Sequence, residues 1–227
     1  MLTLGFETAN FGASIALVKD NKELGSKIFN QSYGQAGFLV PELHQLVREN
    51  GYSLQDIDLF ATTTGPGSFT GVRLGLSLAR TLKLASHAPV LGIPSPFWVA
   101  HSFLKNHPSN ALPLLICLEA RRDDLYCQLF SASGVPVQDC INCLPENLES
   151  YFSGPCLAIG NGIEHLKKSD QKNNSKNIFQ IKDFQPLPRS LCFLAQDLFI
   201  KGQENNFPLN PLYIRDPDIS TPKKLPL

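Results

Sequence analysis

Few stretches of this chain have residue types and spacing suited to chemistry, and the densest is Thr62-Thr63-Thr64-Gly65-Pro66-Gly67-Ser68-Phe69-Thr70-Gly71-Val72-Arg73. Gly65 and Gly67 can take positive φ, Pro66 fixes its own, and the hydroxyl of Ser68 or Thr70 can cap a following helix. Bare N–H groups at a helix start attract phosphate, which makes Gly65, Gly67 and Ser68 candidates for holding one. The alternative is a tight strand-to-helix turn and nothing more. The Walker pattern needs Lys and then Ser or Thr after its last glycine, whereas Gly71 is followed by Val72 and Arg73. Ser68 as a nucleophile lacks the Gly-x-Ser-x-Gly elbow and any recognisable His or Asp partner.

Carboxylates at strand ends form the second set. Glu7 closes the first apolar run. Glu119 closes a comparable one, where Arg121 and Arg122 invite an ion pair and Asp123-Asp124 stand where a phosphate turn wants glycine. No His-x-x-x-His occurs among His44, His87, His101, His107 and His165, so a two-histidine metal motif is missing. Of six cysteines, Cys140 and Cys143 make the one suggestive pair, yet no second pair of ligands stands at a comparable spacing. These observations imply no metal, no cofactor and reduced structural thiols.

A chain of 227 residues, 43% of them hydrophobic, can build one large core or two modest ones. Lys plus Arg balances Asp plus Glu at 20 each, so no global field favours nucleic acid or an anionic membrane. No apolar run of about eighteen residues exists and Met1-Leu2-Thr3-Leu4-Gly5 has no basic flank, which implies a cytoplasmic chain without a membrane segment.

The elements that must position these residues read as β-β-β-α-β-α-β-α. Strands fall at Leu2 to Glu7, Gly12 to Val18 and Glu23 to Asn30; a helix runs from Phe38 to Asn50, with Leu39, Leu43, Leu46 and Val47 at helical spacing. A strand from Ile57 leads into the glycine loop and the helix Gly71 to Ser86, and Pro89 to Ile93 and Ser95 to Leu104 complete the unit. Polar residues around Lys105 to Asn110 divide the chain into units 1–106 and 107–227. The second unit opens like the first: a constant offset of 112 places Glu119 on Glu7, Leu118 on Phe6 and Leu129 on Leu17. It then thins into Val137 to Cys143, a short helix from Glu146, a strand at Cys156 to Ile159, the turn Gly160-Asn161-Gly162, a solvated run Lys167 to Asn177, the amphipathic helix Arg189 to Lys201, and a proline-rich extended tail. In the helix Gly71 to Ser86, Gly71, Gly75, Leu78, Leu82 and Ala85 share one side with Ala79 at its margin, Leu74 widens it, Val72 and Leu76 extend it the other way, and the Gly71, Gly75, Ala79 row allows close approach of another backbone. That backbone belongs either to the same domain or to a second chain.

Leu4-Gly5-Phe6-Glu7-Thr8-Ala9 with Ser14-Ile15-Ala16-Leu17, the loop Gly65 to Arg73, Glu119-Ala120-Arg121-Arg122 with Tyr126, and Pro211-Leu212-Tyr213-Ile214-Arg215 together resemble the TsaB (YeaZ) family. The resemblance implies the actin-like ATPase fold shared with sugar kinases: α/β, two related domains, the second reduced. It further implies an accessory, non-catalytic subunit in forming threonylcarbamoyladenosine in tRNA, beside a TsaD-like catalytic paralogue and a TsaE-like ATPase. Such a subunit meets tRNA only through the complex, and forms a homodimer when its partner is missing. Pairing through helices of the first domain would place Leu39, Leu43, Gly71, Val72, Gly75, Leu78 and Ala79 at the interface. Two departures stand out: the first strand generally ends in Asp-Thr where this one has Glu7-Thr8, and the loop Tyr33-Gly34-Gln35-Ala36-Gly37 lacks the common His. A free-standing kinase, ATPase or peptidase-like enzyme of the same fold is the competing reading.

Overall fold

The computed structural model describes residues 1–30, 34–120, 123–152, 154–166, 178–182 and 184–214, with the side chains of 178–182 excepted. The first half comprises β1 (Leu2–Glu7), β2 (Ala13–Lys19), β3 (Lys22–Phe29), α1 (Gln35–Glu49), β4 (Leu59–Thr63), α2 (Phe69–Ser86), β5 (Val90–Ile93) and α3 (Ser95–Asn106). The second half adds β6 (Leu114–Glu119), β7 (Leu125–Phe130), β8 (Ile141–Cys143), the short α4 (Leu148–Tyr151), β9 (Cys156–Ile159), β10 (Ile178–Lys182) and α5 (Pro188–Ile200). The polar run 167–177 and the tail beyond 214 lie outside the described residues.

The two sheets repeat one plan. Their strand orders are β3-β2-β1-β4-β5 and, from the matching edge, β8-β7-β6-β9-β10, each an antiparallel meander continued by parallel strands. The offset of 112 carries Leu2–Glu7 onto Leu114–Glu119 strand for strand. It fails by one residue in the next strand. Leu4 pairs with Leu17, and its counterpart Ile116 pairs with Gln128, so Leu17 corresponds to Gln128 and not to Leu129. The cause is a turn one residue shorter, since Glu7 pairs with Ser14 and Glu119 with Leu125.

Alternation along the strands sets the layers. Leu2, Leu4 and Phe6 of β1, with Ile15 and Leu17 of β2, meet Leu39, Leu43, Leu46 and Val47 of α1 and Ala79 and Leu82 of α2. The opposite face of β1 and β2 meets α5: a Cβ on Gly5 would stand 2.7 Å from the Cys192 sulfur, and Gln196 donates to the Thr3 hydroxyl at 2.9 Å. A second core joins Leu59, Ala61, Leu91 and Ile93 of the first sheet to Leu114, Ile116, Leu118 and Ile159 of the second, through Trp98 and Phe103 of α3 and Leu191, Leu194 and Leu198 of α5. Each fully buried Leu or Phe contributes about 1.5–3 kcal/mol, so this helical layer bonds the two sheets strongly. The helices are also tied by polar groups, Trp98 Nε1 and the Ser102 hydroxyl both donating to Ser190 Oγ at 2.8 Å. α4 and residues 163–166 cover the outer face of the second sheet.

After α5 the chain returns to the first sheet. Gly92 N–H donates to the Phe207 carbonyl at 2.9 Å and Leu212 N–H to the Thr64 carbonyl at 2.8 Å, so the tail flanks β5 and crosses the glycine loop. Among the described residues no helix is long and apolar enough to cross a membrane.

Candidate functional site

The carboxyl end of β1 brings Glu7, the glycine loop and the Gly160-Asn161-Gly162 turn together. Glu7 is 1% exposed, and its carboxyl group is turned onto its own loop. Oε1 accepts the N–H groups of Ala9 at 2.5 Å and Asn10 at 2.8 Å, Oε2 that of Phe11 at 3.3 Å, and the Thr63 hydroxyl reaches Oε1 at 3.4 Å. Burial pushes this carboxyl above the ordinary glutamate value, outweighing the donors, which pull it down. Oε1 is thus engaged by three donors and Oε2 by one, all from the loop and the neighbouring strand.

The glycine loop is packed rather than open. Ser68 N–H donates to the Ala9 carbonyl at 2.7 Å, and Ser68 Oγ caps α2 by accepting Gly71 N–H at 3.3 Å. Thr70, the other candidate cap, lies inside the helix. A Cβ on Gly67 would come within 2.6 Å of the Ala9 carbonyl and 2.8 Å of the Asn10 amide; one on Gly65 would meet Val72 at 3.0 Å and the Leu212 carbonyl at 3.2 Å. Gly65 also needs its positive φ of 93°.

From the second sheet, Asn161 Nδ2 donates to the Asn10 carbonyl at 2.9 Å, and Asn161 Oδ1 accepts the Glu119 N–H at 3.0 Å. Asn10 in turn donates its side-chain amide to the Pro66 carbonyl at 2.9 Å. From sequence alone Gly160-Asn161-Gly162 reads only as a turn; the signal for more is an amide set between glycines at a strand end. The Glu119 side chain faces His165 at 3.9 Å, while its expected partners Arg121 and Arg122 lie outside the described residues, as does Tyr33.

The row of small residues on α2 faces this chain's own sheet. A Cβ on Gly71 would overlap the Thr8 carbonyl, and one on Gly75 would stand 2.8 Å from Thr8 Oγ1 and 3.1 Å from Thr62 Oγ1. Val72, Ala79, Leu39 and Leu43 are buried as well, and Leu78 alone of the seven expected interface residues is partly exposed. The close approach that the row signals is therefore met inside the domain. The outward sides of the two helices carry Val40, 40% exposed, and Leu84, 78% exposed, while Leu74 and Leu78 at the margin are partly buried against the domain's own core.

Arg73 and Arg80, on the exposed side of α2, bond the tail. Arg80 donates to the Leu209 carbonyl at 2.7 Å, and Arg73 lies 3.8 Å over the Phe69 ring and donates to the Tyr213 hydroxyl at 3.3 Å. Cys140 and Cys143 separate in environment. Burial pushes Cys140 up to about 12, whereas Cys143 enters the apolar layer with Cys127 and Cys117, whose sulfurs are 3.8 Å apart. Among the described residues no group of three or more His, Cys, Asp or Glu could hold a metal ion.

Residues 37–199 match the family model described as TsaD: tRNA N6-adenosine threonylcarbamoyltransferase. The tRNA threonylcarbamoyladenosine biosynthesis protein TsaB of Bacillus subtilis is 30% identical over 216 residues, which cover 87% of this chain and 88% of that protein. The chain belongs to the TsaB family. Against the TsaB proteins of Buchnera aphidicola and Escherichia coli the match spans about half of their length, 51% and 53%. A Pseudomonas aeruginosa crystal structure, of a protein with similarity to peptidase YEAZ, superposes with a TM-score of 0.77 at 22% identity over 94% of this chain and 99% of its own. The architecture is the actin-like ATPase fold. An activator of 2-hydroxyisocaproyl-CoA dehydratase from Clostridium difficile, solved with bound ADPNP, shares it at a TM-score of 0.50 and 10% identity, covering 90% and 98%.

A nucleotide is what that fold implies, and in this TsaB-family chain the β1–β2 turn and the glycine loop do not fit its phosphates. The N–H groups of Ala9, Asn10 and Phe11 already bond Glu7, the Ser68 N–H bonds Ala9, and Gly67 has no space beside Asn10.

Proposed function

We propose that this chain is a non-catalytic subunit required for forming threonylcarbamoyladenosine in tRNA, acting with a TsaD-like transferase and a TsaE-like ATPase. The observation that carries the reading is Glu7: the first domain's strand-end carboxylate is spent on its own turn, inside a fold whose relatives are named for this modification. The catalytic machinery then belongs to the partner, and tRNA is met through the complex.

Pairing with the TsaD-like chain uses the outward sides of α1 and α2. Val40, Leu74, Leu78 and Leu84 give that surface apolar character, and a symmetric homodimer would reuse the same patch when the partner is missing. The buried residues Gly71, Gly75, Ala79, Leu39, Leu43 and Val72 act from beneath by fixing where the helices sit.

Depletion of the protein in its native cell should empty the tRNA pool of threonylcarbamoyladenosine while the threonylcarbamoyl-adenylate still forms. Nucleoside mass spectrometry reads the first and assay of extracts the second. An unchanged nucleoside level would remove the assignment. Co-purification with mass identification should bring down a larger paralogue and a small ATPase. Turnover of ATP by the isolated chain would instead favour a free-standing ATPase.

A further inference from the structure

The turn between β1 and β2 directs three successive backbone N–H groups, those of Ala9, Asn10 and Phe11, at one point, and Glu7 occupies that point with both oxygens. Successive N–H groups converging in this way form a nest for anions, phosphate among them. We propose that Glu7 is a built-in occupant: its own carboxyl oxygens fill a backbone nest that would otherwise suit a phosphate, and hold the β1–β2 turn in the shape an external anion would impose.

Three features of the surroundings support this. The side chain is 1% exposed, so it is enclosed rather than resting on the surface. The turn it shapes is used at once: the Ala9 carbonyl accepts Ser68 N–H at 2.7 Å, and the Asn10 carbonyl accepts Asn161 Nδ2 at 2.9 Å. The Asn10 side chain does not bond the turn's own N–H groups, since its amide donates to the Pro66 carbonyl and its buried Oδ1 has no hydrogen-bond partner, so Glu7 is the side chain that meets them. The glycine loop and the second unit thus both dock on a turn whose conformation depends on Glu7. The inference rests on the reading of the chain as a subunit without nucleotide chemistry, but it concerns the isolated protein, so either can fail without the other.

The test is anion rescue of Glu7→Ala. Thermal unfolding of wild type, Glu7→Ala and Glu7→Gln is compared in sodium chloride, sodium phosphate and sodium formate at equal ionic strength. Glu7→Ala should be less stable than wild type in chloride and should gain about 3 °C or more in phosphate or formate, while wild type and Glu7→Gln, whose amide oxygen still takes the Ala9 and Asn10 N–H groups and whose bulk keeps an anion out, shift by less than about 1 °C. No gain for Glu7→Ala would overturn the proposal, and so would an equal gain in all three proteins, which is a general salt effect. Should Glu7→Ala not fold in chloride, recovery of soluble protein on refolding in phosphate or formate alone supports the proposal, and equal failure in all three salts removes it.

Discussion

Asn161 donates its amide to the carbonyl of Asn10, 151 positions away in sequence, and accepts the N–H of Glu119 with its other end, so one side chain links the strand ends of both sheets. Two neutral hydrogen bonds contribute about 0.5–1.5 kcal/mol each, so Asn161→Ala should lower unfolding free energy by about 1–3 kcal/mol in urea. Asn161→Asp should cost more at neutral pH, because a carboxylate oxygen then faces the Asn10 carbonyl. If Asn161→Ala unfolds at the wild-type urea midpoint, the clasp carries no weight.

Gly75→Ala places its new methyl 2.8 Å from Thr8 Oγ1 and 3.1 Å from Thr62 Oγ1, within the domain. Overpacking of this kind costs about 1–3 kcal/mol, which exceeds the gain of about 1 kcal/mol from replacing a helical glycine. The melting temperature should fall while affinity for the TsaD-like partner stays at the wild-type value in the folded fraction. A variant of normal stability that no longer binds would return Gly75 to the interface.

Burial holds Glu7 above its ordinary value in the folded chain. Between the unfolded and folded pKa values the native state then binds more protons, so this group's contribution to stability is present at low pH and lost as pH rises through the folded value. Urea unfolding of Glu7→Gln against wild type from about pH 4 to 7 should show the difference moving in favour of Gln as pH rises. A difference moving the other way would mean that the N–H groups outweigh burial.

Arg80 bonds the Leu209 carbonyl at 2.7 Å from an exposed position on α2. Arg80→Ala should speed proteolytic cleavage between Phe207 and Ile214 severalfold and lower global stability by no more than about 1 kcal/mol, since a tail can open locally. Equal cleavage rates would show that the backbone bonds to Gly92 and Thr64 suffice to hold the tail.

On the outward side of α2, Leu84 is 78% exposed, and on α1 Val40 is 40% exposed. Leu84→Lys combined with Val40→Lys should leave the melt unchanged and weaken binding to the TsaD-like chain by about tenfold or more, measured by titration calorimetry; tenfold corresponds to about 1.4 kcal/mol. Undiminished affinity would place the partner elsewhere.

Periodicity made most of these elements legible, because each helix and strand buries one face. The repeat was legible too, since β6 follows β1 residue for residue at the 112 offset. The one-residue loss before Leu125 was not, because a constant offset cannot register a shortened turn. The small residues Gly71, Gly75 and Ala79 announced a close approach, but composition cannot say whose backbone approaches. Glu7 was recognised as a strand-end carboxylate; that it folds back on Ala9 depends on a loop conformation that pattern reading does not reach. β10 was hidden behind the polar run that precedes it, and Asn161 by its reading as an ordinary turn residue.

The docking of α5 on the first sheet bears on how this protein is made. Cys192 donates to the Ala16 carbonyl across 176 positions, and Gln196 to Thr3 across 193, so strands made first wait for the helix made nearly last. During synthesis the face of β1 and β2 around Thr3, Gly5, Ala16 and Val18 stays uncovered until about residue 200 has left the ribosome. Contacts of such long range also slow the final collapse. A chain stopped after α3 would carry a complete strand order with one bare face, which makes it a substrate for chaperones rather than a free-standing domain.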